Sequence, residues 1–305
     1  MELVEAIILS VLAASTPLLI AATGELVTER SGVLNLGVEG MMIMGAACGF
    51  AGAWLSGSVI IGALCGIIAG VSMSLIFAMM TLGLAVNQVA TGLALTILGV
   101  GLSGLIGAGF VGERIRPAPH LYIPLLTNIP LIGRIVFGED AFVYLSIALI
   151  VGVSWFLYRT RAGLVLRACG DNHISAHALG YPVLRIRLLA VMFGGACAGL
   201  AGAYLPLAYT PFFIPGMTAG RGWIALALVV FASWLPGRLV IGAYLFGAVS
   251  ILQLHAQGAG IGIPSQFMSA LPYLATVIVL VLLSRARTGG STAPAALGTV
   301  FVPDR

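Results

Sequence analysis

The chain of 305 residues contains no lysine, because all fourteen of its basic residues are arginine. A nucleotide-binding P-loop needs the lysine of Gly-x-x-x-x-Gly-Lys, so the sequence excludes a P-loop ATPase site. It also lacks His-Glu-x-x-His and Gly-x-Ser-x-Gly, which mark zinc peptidases and serine hydrolases. Its four cysteines have neither the context of an extracellular disulfide nor the spacing of a zinc site. We therefore predict no catalytic residue, no metal site and no cofactor bound by this chain.

Charge of either sign is scarce as well. Only 8% of residues are charged and 60% are hydrophobic, with a mean hydropathy of +1.12. This composition excludes a soluble globular domain, and it includes several apolar runs long enough to cross a bilayer core of about 30 Å. Lipid cannot satisfy backbone polar groups, so these runs must be helical, and the 41 glycines suit close helix packing. We predict an all-α polytopic membrane protein with about eight to ten transmembrane helices.

The hydropathy pattern predicts nine spans, and the arginines orient them. The segment Arg159–Arg187 is basic and too polar for lipid, which places it in the cytoplasm. Alternation then puts ten arginines inside and four outside, and the N-terminus outside. The seventh and eighth segments are short, so one of the nine is open to a re-entrant or interfacial interpretation. The predicted spans are Leu3–Ala22, Leu34–Leu55, Val59–Met80, Val86–Phe110, Ala141–Tyr158, Leu188–Tyr209, Trp223–Leu235, Leu239–Gln253 and Phe267–Ser284.

Polar residues interrupt the start of the second span. Asn35 and Glu39 lie where that helix should begin, and Gly37 between them permits an irregular backbone. A carboxylate at the bilayer centre costs about 2.5–3.5 kcal/mol on insertion scales, so Glu39 must face a protein interior, a water-filled cavity or the interface. Two interpretations remain open. In one, a broken helix lines a substrate path; in the other, the carboxylate caps a helix N-terminus.

A second irregular segment, Thr210–Gly222, precedes the predicted seventh span and contains prolines and glycines. Two such segments at opposite membrane faces are typical of inverted-repeat transporters. Arg221 is a candidate for contact with substrate at an outer gate, although a lone arginine there more often reaches lipid headgroups. Asn87 and Gln88 offer uncharged hydrogen-bonding groups that suit a neutral polar cargo or contacts between helices.

Two stretches carry a resemblance to a known family. The first runs from Thr28 to Gly45 and includes Glu-Arg-Ser-Gly-Val-Leu-Asn-Leu-Gly-Val-Glu-Gly; the second, Leu166–Val183, includes Arg-Ala-Cys-Gly-Asp-Asn. They resemble the permease subunits of bacterial ABC importers of the branched-chain amino acid and ribose type, in particular the nucleoside and simple-sugar branch. The similarity covers about Thr16 to Arg285. It implies an inverted-repeat permease fold over residues 1–287. Residues 288–305 are rich in Gly, Ala, Thr and Pro without a periodic apolar face, which predicts a loose cytoplasmic tail.

The resemblance also implies roles and partners. Asn35, Gly37 and Glu39 would lie near the translocation path, and a cytoplasmic coupling loop at 159–187 would dock on an ATPase. The coupling residues implied are Arg167, Gly170, Asp171, Asn172, Ala176 and Gly180. A partner ABC ATPase would use ATP and Mg²⁺, a second and different permease would complete the pathway, and a periplasmic or lipid-anchored binding protein would deliver a nucleoside or pentose. Membrane lipid is an expected partner and nucleic acid is not. The chain departs from the family pattern at His173, Ser175 and His177, which leaves the identity of the ATPase open.

A different class of transporter remains an alternative. Glu39 would then couple transport to protons or sodium in a secondary carrier, which has no need of a Gly-Asp-Asn coupling segment. A membrane enzyme is the third possibility, and it lacks any assembled set of nucleophile, base or metal.

Overall fold

The computed structural model describes residues 2–121, 137–258 and 293–302, together with six single positions between 267 and 281. These parts of the chain form ten α-helices and contain no β-strand, only two isolated bridges. Turns of π-helix extend two helices at Met79–Gly83 and Leu205–Tyr209. The helices are α1 Glu2–Arg30, α2 Val38–Ser56, α3 Val59–Ala78, α4 Gln88–Gly107, α5 Ala141–Arg159, α6 Arg161–Asp171, α7 His173–Ala178, α8 Val183–Tyr204, α9 Arg221–Phe231 and α10 Pro236–Gly258.

Seven helices in the described ranges are long and apolar enough to cross a membrane, namely α1 to α5, α8 and α10. The all-α polytopic prediction is thereby confirmed. The prediction of a full span at Trp223–Leu235 is wrong, because α9 has only 11 residues and a length of about 16 Å. It ends where Ser233 and Trp234 take positive φ angles and reverse the chain into α10. The predicted ninth span, Phe267–Ser284, lies outside the described residues except for single positions, so the count of nine stays a prediction.

Glycines set the spacing of the central helices α2, α3 and α8. Gly199 of α8 lies against the backbone of Gly66 and Gly70 in α3, and a Cβ on Gly199 would overlap the Gly66 carbonyl. Gly45 of α2 faces Gly199 from the other side just as closely. Small residues at such contacts let helix backbones approach in the absence of a hydrophobic driving force. The high glycine content therefore builds a tightly packed core inside the bundle.

The described residues predicted to be cytoplasmic gather at one end of the bundle. Gly170 packs on the carbonyl of Arg30, and the Arg30 guanidinium donates to the carbonyl of Trp234, just before Arg238. At the opposite end Arg114 bridges to Phe212, and Trp54 donates to Glu113. Among the described residues, Arg30 and Arg114 thus lie at opposite ends, as the predicted topology requires, and which end faces the cytoplasm stays a prediction.

Candidate functional site

Glu39 joins the two irregular segments that the sequence contains. Its Oε1 accepts hydrogen bonds from the Thr218 hydroxyl at 2.6 Å and the Gly220 amide at 3.0 Å, and its Oε2 accepts from the Gly222 amide at 2.6 Å. The side chain is 7% exposed. Although Glu39 stands in the first turn of α2, its carboxylate therefore caps the N-terminus of a different helix, α9.

The capping geometry depends on backbone features of both partners. The first amides of a helix lack internal acceptors and carry a partial positive charge, which favours a carboxylate there. Gly220 has a φ of 81°, and Gly222 has no room for a Cβ because the Glu39 backbone lies against it. Glycine at 220 and 222 therefore lets α9 begin inside the bundle, directly on the Glu39 carboxylate.

Asn35 and Gly37 lie in the loop that joins α1 to α2, and Gln88 of α4 contacts that loop. The Asn35 Oδ1 accepts from the Gly37 amide at 2.9 Å, and the Gln88 Oε1 accepts from the Leu34 amide at 2.8 Å. Asn35 and Gln88 are 0% and 2% exposed. The Nε2 of Gln88 has no hydrogen-bond partner in the structure as described. The loop before Glu39 is thus a buried polar segment with one unused donor.

The structure separates Arg221 and Asn87 from this group. The Arg221 guanidinium donates to the carbonyls of Met217 and Thr218 and lies 5.8 Å from the centre of the Tyr209 ring. It therefore supports the irregular segment before α9, and its contact with substrate or with lipid headgroups stays a prediction. Asn87 is exposed and caps the N-terminus of α4 by accepting from the Ala90 amide.

Two buried acids of α1 were missed by the sequence analysis. Glu25 and Glu29 are each 1% exposed and stand one turn apart. Glu25 accepts from the Asn35 amide, and Glu29 accepts from the Trp234 indole at 2.5 Å. One oxygen of each carboxylate has no partner within the described parts. Their four-residue spacing in an otherwise apolar helix is the signal that could have identified them.

The coupling residues divide into an exposed set and a buried set. Asp171 and Asn172 are exposed between α6 and α7, and Asn172 caps α7 by accepting from the Ser175 amide. The apolar side chains of Ile174 and Leu179 are 70% and 77% exposed beside them. Gly180 ends α7 with a φ of 86°. This end of the bundle therefore presents a short helix with polar and apolar groups to a partner.

The buried set fixes the coupling segment to the bundle. A Cβ on Gly170 would overlap the Arg30 carbonyl, so only glycine permits this contact. Ala176 is 3% exposed. Arg167 stacks over the Tyr158 ring at 5.0 Å. These three residues hold the coupling segment against the bundle. Of the coupling residues that the resemblance implies, Asp171 and Asn172 have exposed side chains.

The described C-terminal tail packs under the coupling segment, which differs from the loose tail expected from the sequence. The Ala296 amide donates to the Gly170 carbonyl at 2.9 Å, and the Gly298 amide donates to the Gly32 carbonyl at 3.1 Å. Phe301 is 9% exposed and contacts the rings of His173 and His177. The tail is held mainly by backbone groups, so it needs no apolar periodicity.

Arg187 links this tail to the coupling segment and to the loop after α1. It is fully buried, and it donates to the carbonyls of Ser31 and Thr299 at 3.1 and 3.2 Å. Its Nη2 lies 3.2 Å from the Nδ1 of His173. Burial, and then the neighbouring Arg187 charge, lower the pKa of His173. A neutral His173 can accept this hydrogen bond at Nδ1.

One cavity of about 740 Å³ in the described structure is lined almost entirely by apolar side chains. It lies among α1, α5, α6 and α8, with Val27, Phe156 and Phe193 on its walls. None of the candidate polar residues lines it. An apolar groove of this kind does not recognise a polar solute, so the candidate path lies elsewhere, at the loop before Glu39 and the start of α9.

The long apolar helices surround the short helix α9, whose N-terminus is capped by the buried Glu39 carboxylate. This arrangement is typical of multi-pass membrane proteins of the solute-permease class. The chain belongs to the family described as branched-chain amino acid transport system, permease component, whose model matches residues 7–286. The resemblance identified from the sequence is confirmed.

Individual relatives match over most of their length. The chain is 42% identical, over 88% of each sequence, to a putative glucose ABC transporter permease protein, TsgC13, of Haloferax volcanii. It is 30% identical to the nucleoside ABC transporter permease protein NupC of Lactococcus lactis, over 98% of this chain and 97% of the relative. The guanosine ABC transporter permease protein NupQ of Bacillus subtilis is 29% identical, over 99% and 98%.

Proposed function

We propose that this chain is the pathway-forming subunit of an ATP-driven importer that moves a small neutral polar solute, a nucleoside or a simple sugar, across the cytoplasmic membrane. The observation that carries the proposal is the exposed coupling segment. Asp171, Asn172, Ile174 and Leu179 form an accessible patch on a segment that Gly170 holds rigidly against α1. A rigid, exposed helix at one end of a bundle suits transmission of force from a soluble partner.

The partner at this patch would be a cytoplasmic ABC ATPase, which would hydrolyse ATP with Mg²⁺. The permease family and the relatives named as ABC transporter permeases support this pairing. The chain itself has no lysine for a P-loop, so in an ATP-driven importer the ATP would be hydrolysed by another subunit. On this proposal α6, α7 and the C-terminus would lie on the cytoplasmic side, and the clustering of arginines there supports that orientation.

A second, paralogous permease and a periplasmic or lipid-anchored binding protein would complete the importer. In Bacillus subtilis two guanosine permeases match this chain, at 29% and 24% identity. In Haloferax volcanii two permeases with glucose in their names match it, at 42% and 24%. Two different permeases for one solute in one organism support a pathway formed by unlike chains.

The cargo class follows from polar groups and from the relatives together. Buried amides of Asn35 and Gln88 border the loop before Glu39, and Glu25 and Glu29 add unused carboxylate oxygens nearby. Amide donors and carboxylate acceptors suit the hydroxyl groups of a sugar or a ribose. The named solutes of the relatives are glucose, nucleosides and guanosine.

The test is uptake of labelled guanosine, uridine, ribose and glucose by cells that express this chain with its partners. The informative variant is Asp171→Arg together with Ile174→Ala, because both side chains are exposed and a change there spares the fold. Arg238→Gln, at an exposed position near the start of α10 at the same end, is the matched control. A change at Gly170 is less suitable, since any side chain there collides with Arg30.

We expect uptake of one solute class to be lost in the coupling variant and on ATP depletion, and to persist when the proton gradient is collapsed. Uptake that follows the gradient and ignores the coupling variant would contradict the proposal and favour a secondary carrier. The geometry does not favour that alternative, because both oxygens of Glu39 are already engaged by three donors.

A further inference from the structure

The C-terminal segment 294–302, which we call the strap, is integrated into the coupling end of the bundle. Ala296 is 7% exposed and Phe301 is 9% exposed. Backbone bonds from the strap reach both the coupling segment, at Gly170, and the loop after α1, at Gly32. The strap therefore ties together two segments that are 138 positions apart in the sequence (170 − 32 = 138).

Phe301 forms the contact between the strap and α7. Its ring packs edge-on against His173 and His177, with centroid distances of 5.1 and 5.4 Å. It completes a small cluster, separate from the main core, with Cys169, Ala176 and Val183. The inner face of α7, which we call the coupling helix, thus packs against the strap as well as against α6 and α8.

Arg187 forms the second contact, and it extends toward the translocation path. One guanidinium meets the strap at Thr299, the coupling helix at His173 and the loop at Ser31. The planar fork of an arginine can hold several acceptors in a fixed geometry, which a lysine cannot do. A displacement of α7 would therefore reach the backbone of Ser31 through the Arg187 side chain.

From Ser31 the chain runs through a short, well-anchored loop to Glu39. The Leu34 amide is held by Gln88, the Leu36 carbonyl by the Thr96 hydroxyl, and the Asn35 amide by Glu25. These bonds tie the loop to α1 and α4, so a displacement at Ser31 is passed to those helices as well as along the loop. Its far end carries the Glu39 carboxylate, on which the N-terminus of α9 rests.

We infer that the strap and Arg187 form a mechanical link that carries movement of the coupling helix to the loop 31–37, and through Glu39 to the start of α9. Arg187 is a positioning residue in this link, since it acts through the loop and touches no solute. The inference rests on the proposed function, because it presupposes that a partner moves α7.

The first experiment tests the strap in the purified chain alone, without transport. Hydrogen exchange at the amides of α7 is compared in the wild type, in Phe301→Ala and in a chain ending at Val300. Val302→Ala is the matched control, since Val302 is next to Phe301 in the chain and its side chain is 66% exposed. We expect exchange in α7 to quicken on the order of tenfold in the two strap variants and to stay unchanged in the control. Unchanged exchange in both strap variants would overturn the inference.

The second experiment measures solute moved per ATP hydrolysed by the reconstituted importer. Phe301→Ala and Arg187→Lys are compared with Val302→Ala and Arg185→Lys, whose arginine is exposed. We expect the ratio to fall at least about fivefold in the first pair while ATP hydrolysis continues. An unchanged ratio, with α7 loosened, would show that the strap is only structural and would leave the proposed function intact. Absence of ATP-dependent uptake in the wild type would overturn the proposed function and the link together, and would leave the exchange result standing.

Discussion

Replacement of Glu39 by glutamine tests the hydrogen bonds that join the start of α2 to the segment before α9 and to the N-terminus of α9. Glutamine has the same shape, so its amide oxygen can keep the bonds from Thr218 and Gly220. Its NH₂ group would then face the Gly222 amide, which is a donor facing a donor. The change therefore removes one charge-assisted hydrogen bond and the interaction of a carboxylate with the N-terminus of α9.

The magnitude follows from these two losses. A hydrogen bond to a charged group contributes about 1.5–3 kcal/mol, and a carboxylate at a helix N-terminus adds about 0.3–1 kcal/mol. We expect Glu39→Gln to lower the free energy of unfolding by about 2–4 kcal/mol. Glu113→Gln is the control, because that carboxylate is exposed and accepts one bond from Trp54 at 3.3 Å. It should change stability by less than about 1 kcal/mol.

The chain provides its own probe for this measurement. Cys169 and Cys197 are free thiols that are 0% and 4% exposed, so, once the half-buried Cys48 and Cys65 are changed to alanine, a thiol-reactive fluorophore reports their exposure as the protein unfolds in detergent. We expect the midpoint of Glu39→Gln to lie several degrees below those of the wild type and of Glu113→Gln. Equal midpoints for the two variants would refute the conclusion that the carboxylate holds the start of α9.

Three further predictions concern stability and use the same assay. Trp234→Phe removes the indole donor to the buried Glu29 and should cost about 1–3 kcal/mol. Gly199→Ala places a methyl group against the α3 backbone and should cost about 1–3 kcal/mol through overpacking. Burial, and then the neighbouring Asp140, raise the pKa of Glu139 from its ordinary 4.5 to about 7. Because the folded state binds this proton more tightly, its contribution is present below pH 4.5 and is lost as the pH rises through about 7. The midpoint should therefore fall between pH 5 and pH 8 in the wild type and fall less in Glu139→Gln.

Matched variants separate these effects from general damage. Trp155→Phe changes a side chain that is 63% exposed and should leave the midpoint unchanged. Gly101→Ala adds a methyl group where no atom lies within 4 Å, so a loss as large as that of Gly199→Ala would contradict the packing argument. A pH profile of Glu139→Gln that parallels the wild type would contradict the assignment to Glu139.

Local sequence patterns determined the class of this protein and most of its helices. Hydropathy identifies spans because a run of apolar residues must form a helix in lipid, whatever its neighbours are. The glycines and polar residues near Glu39 and Gly222 also revealed the two irregular segments, since each interrupts an apolar run. The short α9 shows the limit of this approach, because Trp223–Leu235 is apolar and the turn at Ser233 and Trp234 leaves little trace in hydropathy.

Only the tertiary structure shows which residues of these segments contact one another. Glu39 meets Thr218 across 179 positions, and Arg187 meets Ser31 across 156, so no local pattern pairs them. The strap binds mainly through backbone amides and carbonyls, which every sequence possesses, and so its Gly- and Ala-rich residues resemble a loose tail. Likewise, the motif around Gly170 indicated a coupling segment, but only the packed bundle separates its buried glycine from the exposed Asp171. The sequence by itself identified the seven described helices that are long and apolar enough to cross a membrane, because hydropathy is a property of each segment alone. Which polar groups pair within the membrane depended on how the helices pack, because a hydrogen bond requires both partners to be brought within about 3 Å of each other.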